Sequence, residues 1–111
     1  MPKPTTTAPA AIPDWMVQLQ VELTGSGTRR PDDGDLEPMV ELMYRTAGVR
    51  SAAVVPLQAG LAVAVGLEAR DGAAALERAR GLTVSCARYA GLGQAVVVRA
   101  GVTAATGVAT A

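Results

Sequence analysis

The chain has 111 residues, ten basic and ten acidic side chains and no histidine. That is enough for one domain with one modest core, and the balanced charge gives no long-range field to draw nucleic acid or an anionic membrane surface. Half of the residues are hydrophobic but only 3% are aromatic, and phenylalanine and asparagine are absent, a bias toward alanine, valine, glycine and arginine that fits the codons of a GC-rich bacterial genome better than any particular chemistry.

Residues 1–13 are rich in Pro, Thr and Ala. Such a segment has too little apolar side chain to offset the entropy of ordering, so a disordered tail is expected. Asp14 then leads into Trp15-Met-Val-Gln-Leu-Gln-Val-Glu-Leu23, where apolar residues alternate with Met16, Gln18, Gln20 and Glu22. A period of two predicts a strand with one core face and one wetter face. Residues 24–34 read as a loop from their Gly, Pro and Asp.

From Asp35 the period changes. Leu36, Met39, Val40, Met43 and Ala47 fall on one side of a helix, with Glu37, Glu41 and Arg45 opposite. Asp35 suits the N-cap, Pro38 fits if it lies in the first turn, and Gly48 suits the C-terminal stop. Residues 52–69 form two apolar runs joined by Gln58-Ala59-Gly60, a hairpin signal. Pro56 cannot donate to a ladder on both sides, so its strand belongs at a sheet edge. Asp71-Gly72 precedes a second helix, about Ala73 to Ala90, whose Leu76, Ala79, Leu82, Thr83, Cys86, Ala87, Tyr89 and Ala90 share one broad face. Gly91 and Gly93 end it. Gln94–Ala100 reads as the last strand, and residues 102–111 as a frayed tail.

The order strand, helix, hairpin, helix, strand over residues 14–101 resembles the ferredoxin-like superfold. The resemblance implies an α+β, βαββαβ two-layer sandwich: a four-stranded antiparallel sheet with two helices on one face. Its second strand lies at an edge and its first and third are central, which agrees with Pro56 and with the two cleanest alternators. The superfold hosts many activities, so it selects none.

Without histidine there is no Ser-His-acid triad, Cys-His dyad or imidazole metal site, and one cysteine can form neither an internal disulfide nor an iron-sulfur cluster. Cys86 falls mid-face on the second helix and is expected to be an inert core thiol. Asp32, Asp33 and Asp35 lack the spacing of a calcium loop. The chain is therefore expected not to be an enzyme, to hold no metal and no cofactor, and to bind neither nucleic acid nor membrane. With no signal-peptide pattern and no long apolar run, a cytoplasmic location is expected.

Two surfaces remain. The strand face opposite the helices is small and poor in charge: Gln18 and Gln20 on the first strand, Ala62, Ala64 and Gly66 on the third, with Val97 and either Val54 or Val55 at the margins. Such a face admits a second layer, so a homodimer or another protein partner is the leading expectation. The alternative is a small-anion sensor in which Gly25, Gly27, Arg29 and Arg30 of the loop receive a phosphate or carboxylate.

Overall fold

The computed structural model describes residues 12–24 and 32–105. Its elements are β1 (Asp14–Thr24), α1 (Asp33–Arg45), β2 (Val49–Pro56), β3 (Gly60–Glu68), α2 (Gly72–Tyr89) and β4 (Gln94–Ala104). The strands form one antiparallel sheet in the order β2-β3-β1-β4. β1 and β3, the two cleanest alternators, are central; β2, with its proline, is an edge.

The core follows from the period of two. Val17, Leu19 and Val21 of β1 and Leu61, Val63, Val65 and Leu67 of β3 are buried, and they form one cluster with Leu36, Met39 and Met43 of α1 and Ala75, Ala79, Cys86 and Ala87 of α2. Each fully buried Leu, Met or Val side chain contributes roughly 1.5–3 kcal/mol. The core side of α2 is mostly alanine, so this helix lies close to the strands without large side chains. Trp15 packs at the cluster's margin, and its indole Nε1 donates to the Ala69 carbonyl at 2.9 Å.

The helix ends correct the expectation at α1. Its N-cap is Asp32, not Asp35. The Asp32 carboxylate accepts from the Asp35 amide at 3.0 Å, and the Asp35 carboxylate accepts from the Asp32 amide at 3.0 Å, a reciprocal capping box. The earlier start moves Pro38 into the second turn, where it has no N–H to offer the Gly34 carbonyl. The helix stops at Arg45; Thr46 caps it and Gly48 turns the chain with φ 88°. Ala47 thus lies beyond the helix and is exposed, rather than on its core side.

At α2 the Asp71 carboxylate accepts from the Ala74 amide at 2.8 Å. Tyr89, expected on the core face, is 69% exposed. It falls about a quarter turn round the helix from the line through Ala75, Ala79, Thr83 and Cys86. β4 runs four residues past its expected end at Ala100, because β1 offers partners down to its first turn of pairing: Val17 opposite Val102 and Trp15 opposite Ala104. Of the expected tails 1–13 and 102–111, residues 1–11 and 106–111 lie outside the described residues, while residues 102–104 belong to β4 instead of fraying.

Candidate functional site: the uncovered sheet face

Because the helices cover one side of the sheet, every second strand residue is left on the other. The register lines up Met16 with Gly66, Gln18 with Ala64, Gln20 with Ala62 and Glu22 with Gly60 across β1 and β3. One central strand therefore carries a ridge of long side chains, and the other a trough of the smallest ones. At one end Met16 and Ser51 lean over Gly66, which is buried; Ala64 and Ala62 stay half-buried. On β2 the same face holds Ser51, Ala53 and the exposed Val55, and on β4 it holds Val96, Arg99, Gly101 and Thr103.

Of the residues expected here, Gln18, Gln20, Ala62, Ala64 and Gly66 share this face. Val97 does not. It pairs with Val21 and packs against the core, on the helix side. The cause is a register shift in β4: Val21 pairs with Val97 but Gln20 with Arg99, so Val98 is an extra residue and the alternation reverses there. Between the alternatives on β2, Val55 is on the uncovered face and Val54 on the core side.

Charge on the face is confined to its two ends. At one end Arg50 bridges Glu68 and Asp14, the latter at 3.5 Å. Arg99 and Glu22, toward the other end, make no ion pair with any described residue. Beside Arg99, where Gly101 lacks a side chain, lies a shallow depression of about 290 Å³ bordered by Gln18 and Gln20. Sequence reading passed over Arg99 although unbroken alternation from Val97 would have put it on this face; the β4 shift takes Val97 to the core side and leaves Arg99 here.

The remaining expectations divide. Gly25, Gly27, Arg29 and Arg30 lie outside the described residues. Cys86 is buried, and burial pushes its thiol pKa up, against nucleophile chemistry at neutral pH. Among the described residues no group of three or more His, Cys, Asp or Glu is placed to hold a metal ion, and no helix is long and apolar enough to cross a membrane.

Comparison with family models, with curated proteins and with solved structures found no match to this chain. The functional reading rests on the face itself.

Proposed function

We propose that this chain is a small non-enzymatic assembly module, a ferredoxin-like sandwich that docks a second copy of itself on its uncovered sheet face. The observation that carries the reading is the adjacency of ridge and trough. A two-fold axis parallel to the strands, passing between β1 and β3, sets the Gln18–Gln20 ridge of each copy into the Ala62–Ala64 trough of the other. A two-fold axis across the strands would instead set ridge on ridge and leave the troughs empty. Nesting restores the contacts that a void would lose, and aligned sheets pack in this way about 10 Å apart.

The size is adequate. Four strands spaced about 4.8 Å apart and about nine residues long present roughly 600 Å² per copy, and a pair buries roughly 1,200 Å², the lower end of stable interfaces. The two glutamines keep hydrogen-bonding capacity at the centre of the face, beside the small residues of β3, as interfaces that also exist exposed require.

Light scattering on the native chain and on Ala64→Arg tests this. The substitution places a long cation in the trough, and the solution mass is expected to fall by a factor of two or more while the circular dichroism stays native. An unchanged mass, or a native chain already monomeric at high micromolar concentration, overturns the reading.

A further inference from the structure

We infer that the outer edge of β4 is a second assembly surface, which pairs antiparallel with β4 of another copy across a two-fold axis normal to the sheet. The two edges of the sheet are built differently. On β2, Pro56 has no N–H to offer, the Tyr44 hydroxyl occupies the Ala52 carbonyl at 3.3 Å, and a register shift at Arg50 bends the strand. These are the devices by which edge strands avoid one another. β4 carries 11 residues, no proline and one charged side chain, with Val96 and Val98 44% and 48% exposed.

Its backbone groups are available. The Ala105 amide donates to the Asp14 carbonyl at 3.0 Å, so that residue faces β1. Alternation along an antiparallel ladder then turns the amides of Ala100, Val102 and Ala104 outward, and beyond the register shift those of Ala95 and Val97 as well. No described residue pairs with them, β4 being the last strand of the sheet.

The register shift selects how two copies meet. If the shifts coincide at the two-fold axis, Val97 lies across from Val98 of the second copy, Val96 from Arg99 and Ala95 from Ala100. Core-side residues then meet core-side residues on both flanks of the shift. The outward-facing Ala95 and Ala100 exchange backbone hydrogen bonds. Arg99, across from Val96, stands one strand from Glu22 of the second copy, about 10 Å away on the same face and within reach of two long side chains. Neither residue has an ion pair with any described residue of its own chain. Across the axis each finds one, and the pair is made twice.

This surface is separate from the ridge and trough, and its test is separable. In the full-length Ala64→Arg chain, with face docking blocked, light scattering at high micromolar concentration is expected to give a dimer; adding Ala100→Pro, which deletes one outward donor at an exposed position, should give a monomer. Arg99→Glu and Glu22→Arg should each weaken pairing about tenfold or more, and the double exchange should restore it. Independently of any variant, hydrogen exchange at the Ala95 and Ala100 amides of the native chain should be slow when concentrated and about tenfold faster on dilution. A monomeric Ala64→Arg chain whose Ala100 amide exchanges freely at every concentration overturns the inference. So does protection that survives in a monomer, which would mean the chain covers its own edge, and failure of the double exchange overturns the register.

Discussion

Gly60 opens β3 pressed against the backbone of β1, where a Cβ on it would stand 1.9 Å from the Val21 carbonyl oxygen. Backbone cannot yield as the tip of a flexible side chain does. Gly60→Ala is therefore expected to cost about 3 kcal/mol or more, by forcing β1 and β3 apart where the ridge and trough begin. Urea unfolding checks it; a loss under 1 kcal/mol on that order-of-magnitude scale would contradict the close approach.

The capping box of α1 makes a second prediction. Asp32→Ala removes the acceptor for the Asp35 amide and is expected to cost about 1 kcal/mol, whereas Asp32→Ser should recover most of it. Equal melting temperatures for the two variants would show that the cap contributes nothing.

Pro38 sits in the second turn of α1, exposed, with the Gly34 carbonyl deprived of its helical donor. Pro38→Ala is expected to stabilise the fold by about 1–2 kcal/mol, the helix-interior penalty of proline less its restriction of the unfolded chain. A thermal melt decides the sign.

Inside the core, the Thr83 hydroxyl is fully buried and has no hydrogen-bond partner among the described residues. Thr83→Val keeps the shape and removes the unpaired group, so a gain of about 1 kcal/mol is expected. A loss measured by denaturant titration would mean the hydroxyl is paired in solution.

Cys86 predicts a pH dependence. Burial raises its pKa above the ordinary 9.0, so the folded thiol keeps its proton where the unfolded one has ionised. The unfolded chain then binds fewer protons than the folded one, and stability falls with rising pH. This contribution is whole below about pH 9 and is lost as pH rises through the folded-state pKa. Unfolding titrations of native and Cys86→Ala chains from about pH 8 to about pH 11 should show the steeper decline in the native chain, and a thiol reagent should label Cys86 only on unfolding.

Part of this could be read from residue order alone. The alternation of β1 and β3, the core positions Leu36, Met39 and Met43, the burial of Cys86 and the edge position of β2 are local matters, decided by period and by the chemistry of proline. The trough was legible too, since Ala62, Ala64 and Gly66 alternate with the core residues of their own strand. What the chain's order could not tell was anything that depends on which residue lies across from which. The extra residue at Val98 exists only relative to Val21, and it sends Val97 to the core and leaves Arg99 on the uncovered face. The extension of β4 to Ala104 depends on β1 being there to pair with it, whereas the cap at Asp32 is local, a pair three residues apart that the sequence itself carries. Periodicity is a property of one segment, whereas register, edge exposure and the nesting of ridge beside trough are relations between segments distant in sequence, and only tertiary pairing decides them.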